Sequence, residues 1–258
     1  MEYFWYTSDT IPKGLGYSHY SGLHLAWLAA LLLVTVGCCM HYRRMGSRGR
    51  EIWRKTVAML LIADELFKLI PMLILGTFDI SYLPFHLCSI NIFIIAYHAW
   101  KPGKLLDNFL YIVCIPGALA ALLFPTWTKL PALNFMCIHS FTVHILLVLY
   151  PVVLVAGGDI KPDIRKLPMV LLLLAGFAAV ALVMNLVFDV NFMFLMRASK
   201  GNPLYWFEQA WGSHLLGFPV IIGALILLMY VPVEIFRKVK KKCKKIPKIR
   251  WNLRDFLC

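Results

Sequence analysis

Cys88 and His139 are the residues whose types and setting could do chemistry, the first as a candidate nucleophile and the second as its candidate base. Cys88 follows Leu83-Pro84-Phe85-His86-Leu87 at the start of an apolar stretch. Pro84 marks a helix start, which puts Cys88 in a first turn whose backbone N–H groups lack intrahelical partners. Such groups favour a thiolate, and they can equally hold an oxyanion. His86 is the nearest imidazole in sequence, but two residues are about 200° apart on a helix. The pair serves one site only if His86 precedes the regular helix, so His139, from another stretch, is the better partner. The competing reading of Cys88 is a small apolar packing residue.

The histidines point to the same region. With the spans oriented as below, His19, His24, His86, His139, His144 and His214 fall in the outer half, and only His41 and His98 in the inner half. That grouping predicts a shared polar cavity, although each imidazole alone reads as satisfying a buried carbonyl. His139 and His144 stand about 8 and 13 residues into their stretch, ~12 and ~20 Å deep. Being five residues apart, about 140°, they face different neighbours. No H-E-x-x-H occurs, and no metal or cofactor is expected.

Asp64, Glu65 and Lys68 stand near the middle of another apolar stretch, where a charge costs about 2.5–3.5 kcal/mol. Lys68 lies within helical pairing distance of both carboxylates. The pair is either structural or active in proton movement or head-group binding. Asn185, Asp189 and Asn191 close a later stretch, as caps or as hydrogen-bonding groups of the cavity. His86, His144, His214, Asn185, Asn191, Asp64 and Lys68 are therefore candidate substrate-binding residues around Cys88 and His139.

The elements that position these groups are membrane spans. The chain is 60% hydrophobic, against about 45–50% for a soluble domain. Seven stretches approach the ~20 apolar residues a span needs, at 22–40, 56–76, 84–100, 108–125, 131–156, 167–188 and 212–233. The prediction is an all-α polytopic bundle over 1–235 with a basic tail at 236–258 and no soluble domain. The leader Met1-Glu2-Tyr3-Phe4 lacks the positive n-region of a signal peptide, so the first stretch reads as a span. Of the 26 Lys and Arg residues, the first, third and fifth connections and the tail hold all but Lys13, Lys68, Lys129, Arg197 and Lys200. By the positive-inside rule the N-terminus is outside and the C-terminus cytoplasmic. The polybasic tail suits anionic lipid head groups, and the charge pattern does not suit nucleic acid. The cysteines form no C-x-x-C and no disulfide framework. Pro71, Pro116, Pro151 and Pro219 should kink or open their spans. The long outer connection at 189–205 is either a lid or a plain loop.

Leu83-Pro84-Phe85-His86-Leu87-Cys88-Ser89-Ile90, Ile138-His139-Ser140 with His144, and Asn191-Phe192-Met193-Phe194-Leu195 followed by Pro203 resemble the YwaF-like integral membrane family, whose eukaryotic branch is the transmembrane protein 164 family. The resemblance runs from about residue 16 to 233, and His-Leu-Cys is its most specific part. It implies a multi-span acyltransferase that moves a fatty acyl chain between phospholipid and lysophospholipid, similar in architecture to the androgen-induced lipid hydrolases. Cys88 matches the nucleophile, with His139 as its histidine. The setting would be the plasma membrane of a bacterium or a eukaryotic endomembrane. Two further readings stand beside this one: a lipid ester hydrolase, and a histidine-lined binding protein or transporter for a metal or small solute.

Overall fold

A computed structural model describes the backbone of residues 2–245 and the side chains of residues 2–239. Among the described residues there are no strands. The α-helices in chain order are α1 (Gly22–Arg44), α2 (Ser47–Ile74), α3 (Leu87–Trp100), α4 (Lys104–Phe109), α5 (Ile115–Leu123), α6 (Phe135–Gly157), α7 (Leu167–Phe188), α8 (Pro203–Trp211) and α9 (Gly217–Lys245). A π-helical turn, Leu110–Cys114, joins α4 to α5. Pro116 has no N–H for the carbonyl four residues back, and its ring crowds that turn. The wider π spacing just before it relieves the conflict.

Five helical segments are long and apolar enough to cross a membrane: Gly22–Arg44, Lys104–Leu123, Phe135–Gly157, Ile164–Phe188 and His214–Val239. They correspond to five of the seven stretches read from the sequence. The other two differ for physical reasons. With 28 residues α2 is about 42 Å long, but Asp64, Glu65 and Lys68 interrupt its apolar surface. With 14 residues α3 is about 21 Å long, short of the ~30 Å hydrocarbon core. It is short because the chain before it folds as a 3₁₀ turn, Ile80–Tyr82, and regular helix starts only at Leu87.

At the centre stands α6, which packs against α1, α2, α3 and α5. Most of its residues are buried, whereas α7 buries only Val170, Ala181 and Asn185. Leu32, Leu33, Leu172, Leu186, Leu227 and Leu228 are exposed on the outer helices. A broad apolar exterior of this kind is matched to lipid rather than to water.

The start of α6 corrects the expected depth of two histidines. Residues 131–134 form a turn, and Asn134 caps the helix by accepting the N–H groups of Met136 and Cys137. Its amide also donates to the carbonyls of Tyr3, Phe4 and Tyr6, pinning the N-terminal segment to the helix start. Since α6 begins at Phe135, His139 and His144 lie only about 6 and 14 Å along it.

The connection at 189–205 contains a 3₁₀ turn, Phe192–Phe194, and leads into α8. At the far end, α9 continues past residue 235 to Lys245. The rest of the basic tail, 246–258, lies outside the described residues.

Candidate functional site

A buried polar cluster forms where α2 faces α6. Lys68 Nζ donates to Glu65 Oε1 at 2.6 Å, and both residues are buried. Of the two pairings the sequence allows, this i, i+3 pair is the one present. Asp64 turns instead toward α6, where Thr142 Oγ1 lies 3.0 Å from each of its carboxylate oxygens. His139 Nδ1 lies 3.0 Å from the Asp64 carbonyl oxygen. A carbonyl only accepts, so Nδ1 carries a proton, and in the neutral ring Nε2 would be the basic atom. Nε2 faces Glu65 Oε2 at 3.7 Å, and that oxygen is buried without a hydrogen-bond partner.

Cys88 stands beside this cluster. It is the second residue of α3, half-buried, and the charges within its electrostatic reach are those of Lys68 and Glu65. No side chain caps α3, so its first-turn N–H groups are free of side-chain partners. Three residues on, Asn91 is buried with its amide donating to the Leu87 carbonyl, and its Oδ1 has no partner. Among the hydrogen bonds of the described residues none joins Cys88 to His139; Glu65 faces His139 at 3.7 Å and acts on Cys88 through its charge.

His86 is the N-cap residue of α3, with extended backbone at φ −70° and ψ 148°. It therefore precedes the regular helix, the one condition under which it shares a side with Cys88. Its Nδ1 accepts the Met193 N–H at 3.4 Å, and its ring packs against Phe192 and Phe194. The 192–194 turn is tied at two further points. Asn185 accepts the Phe192 N–H at 2.6 Å and donates to the Phe192 carbonyl at 3.1 Å. His214 Nε2 donates to the Leu195 carbonyl at 3.4 Å. Asn191 bonds the backbone of Met196 and Arg197. These contacts hold Met193 and Phe194 in left-handed backbone, each with φ 56°, a conformation that costs an ordinary residue about 1–3 kcal/mol.

The six histidines His19, His24, His86, His139, His144 and His214 thus divide into three pairs rather than lining one cavity. His19 and His24 donate to the carbonyls of Pro125 and Leu122. His86 and His214 hold the 192–195 turn. His139 and His144 belong to the buried cluster, His144 donating to the Ser140 carbonyl and stacking on Trp127. Glu65, Thr142 and Asn91 belong with the candidate site and were not counted in it from sequence. Thr142 and Asn91 each stand three residues after a chemical residue, His139 and Cys88, and that helical spacing is the signal that would have found them. Cys38, Cys39, Cys88, Cys114 and Cys137 are free thiols. Among the described residues no group of three or more His, Cys, Asp or Glu side chains is arranged to hold a metal ion.

Comparison with protein-family models matches residues 16–230 to the model described as the TMEM164 family. No curated protein matches, and no solved structure does.

Proposed function

The chain belongs to the TMEM164 family, and on that premise we propose that this helical membrane protein is a phospholipid acyltransferase with Cys88 as nucleophile and His139 as base. One observation carries the reading: His139 Nε2 faces the unpartnered oxygen of Glu65, and the Glu65–Lys68 pair also acts electrostatically on the Cys88 thiol.

In the first half-reaction His139 Nε2 takes the Cys88 proton, and the thiolate attacks the carbonyl carbon of an acyl ester. The oxyanion of the tetrahedral adduct is stabilised by the free first-turn N–H groups of α3. Collapse breaks the ester C–O bond, and the leaving lysophospholipid oxygen receives the proton from His139. The second half-reaction runs in reverse with a lysophospholipid hydroxyl as acceptor, which releases the thiolate and reprotonates it. Water in place of that hydroxyl makes the same site a lipid ester hydrolase. Glu65 and Asp64 position His139 from its two sides, and Lys68 keeps the Glu65 charge compensated.

The proposal includes seven spans with the N-terminus outside. The distribution of Lys and Arg supports it, with α2 and α3 crossing as the charged and the short member of the bundle. On this topology the site lies in the outer half, where lipid can enter sideways between helices.

The test is acyl exchange on labelled phospholipid by purified wild type, Cys88→Ala, His139→Ala and Cys137→Ala. Loss of all exchange is expected for Cys88→Ala, and a fall of about 10²–10⁴ for His139→Ala. Cys137→Ala, which removes a buried core thiol, should retain activity. Wild-type activity in Cys88→Ala ends the covalent proposal.

A further inference from the structure

The opposite, arginine-rich end of the bundle holds an open pocket of about 570 Å³, lined in part by Ser47, Arg48, Arg50, Glu51, Arg54 and Asp159. An excess of arginine at this end is expected from orientation alone, but these residues are organised further than that requires. Asp159, in the connection after α6, bonds Arg50 at 2.8 Å through Oδ1, and its Oδ2 accepts the Tyr42 hydroxyl. Arg50 is also spent on the carbonyls of Gly157 and Met45. Glu51 is taken by Lys55 at 2.6 Å. The two carboxylates of the pocket are thus already matched.

Arg48 and Arg54 remain. Arg48 is exposed and has no carboxylate partner among the described residues. Arg54 approaches Asp159 only at 3.8 Å, and its Nε is buried with no hydrogen-bond partner. Arg48, Arg50, Arg54 and Lys55 thus share the two carboxylates, which leaves an excess of about two positive charges, and guanidinium geometry suits a phosphate with several oxygens. The pocket also includes the start of α2. Ser47 and Arg48 of its first turn line the pocket, and Gly46 caps that helix without a side-chain bond.

We propose that this pocket binds a phosphomonoester, whose charge of about −1.5 to −2 near neutral pH matches Arg48 and Arg54. The group is either the head of a lipid such as phosphatidic acid or a soluble organic phosphate. The site is independent of Cys88.

The full-length chain in detergent micelles is titrated with dioctanoyl phosphatidic acid, glycerol 3-phosphate and dioctanoyl phosphatidylcholine, with binding followed by calorimetry and by the rise in Tm. Wild type should bind phosphatidic acid, and Arg48→Gln and Arg54→Gln should each weaken binding by about tenfold. Lys161→Gln removes one exposed charge from the same end and should leave affinity unchanged. Arg48→Gln, at an exposed position, should keep the ligand-free Tm, so its weakening cannot be put down to misfolding. Glycerol 3-phosphate binding as tightly as phosphatidic acid assigns the site to soluble phosphates, and binding by the lipid alone assigns it to a head group. The proposal is overturned if phosphatidylcholine binds equally well, if Lys161→Gln weakens binding as much as the pocket variants, or if Arg48→Gln has no effect.

Discussion

Replacing Lys68 by methionine removes the only described partner of the buried Glu65 carboxylate oxygen Oε1, while preserving side-chain length and helix propensity. The ion pair is 2.6 Å long, and the two side chains are 10% and 8% exposed. Charge centres about 4 Å apart at an effective dielectric near 20 attract by about 4 kcal/mol. Mutations that strip one partner from a buried pair cost about 3–5 kcal/mol, so the two routes agree. Replacing both members by neutral residues of similar shape is close to neutral, because desolvation of the charges disappears with their attraction. Lys68→Met should therefore lower stability by about 4 kcal/mol, or roughly 8–16 °C in Tm for a chain of this size. Glu65→Gln should also destabilise, and the double variant Glu65→Gln/Lys68→Met should return to within about 1 kcal/mol of wild type. Thermal unfolding in detergent, followed by tryptophan fluorescence, measures all four proteins as a double-mutant cycle. A Lys68→Met protein that melts within 1–2 °C of wild type refutes the buried-pair argument. So does a double variant as unstable as either single one.

Two other outcomes follow from contacts elsewhere. Asn185→Leu leaves the Phe192 N–H and carbonyl unpaired, which should cost about 2–5 kcal/mol. Limited trypsin treatment should then cut faster after Arg197 and Lys200, and an unchanged cleavage rate would show that Asn185 does not hold the turn. Gly157→Ala places a methyl group 2.6 Å from the Tyr42 ring, so overpacking should lower stability by about 1–3 kcal/mol. Gly176→Ala, with open space around the added carbon, is the matched control and should melt no lower than wild type.

The helices were legible where apolar length alone decides them. The stretches at 22–40 and 167–188 became α1 and α7 with starts within a few residues of expectation. The sequence was less informative where a turn competes with helix. Pro131 suggested a span start, yet the Asn134 side chain, bonded to five backbone groups, sets the start of α6 at Phe135. Cys88 does stand in a first turn, but of a helix that starts at Leu87 rather than at Pro84, which lies in the turn before it; the reason His86 and Cys88 need a break between them was readable. The choice between Asp64 and Glu65 as the partner of Lys68 was not readable, because i+3 and i+4 spacings both close on one helix. What separates them is α6, whose Thr142 and His139 draw Asp64 away. The division of the histidines was equally hidden: His19, His86 and His214 meet backbone at 125 and 192–195, in segments that carry no helical period.

The pairing on α2 has a consequence for how the bundle is made. On the proposed seven-span topology α2 is inserted before its later neighbours exist, and its polar groups must tolerate lipid during that interval. The counter-ion of Lys68 travels on the same helix, three residues away, so this charge is neutralised as soon as the turn forms. Asp64 is in the opposite position, because Thr142 is encoded 78 residues later. Biogenesis of α2 therefore has one self-sufficient charge pair and one carboxylate that waits, and the arrival of α6 both ends that exposure and completes the surroundings of His139.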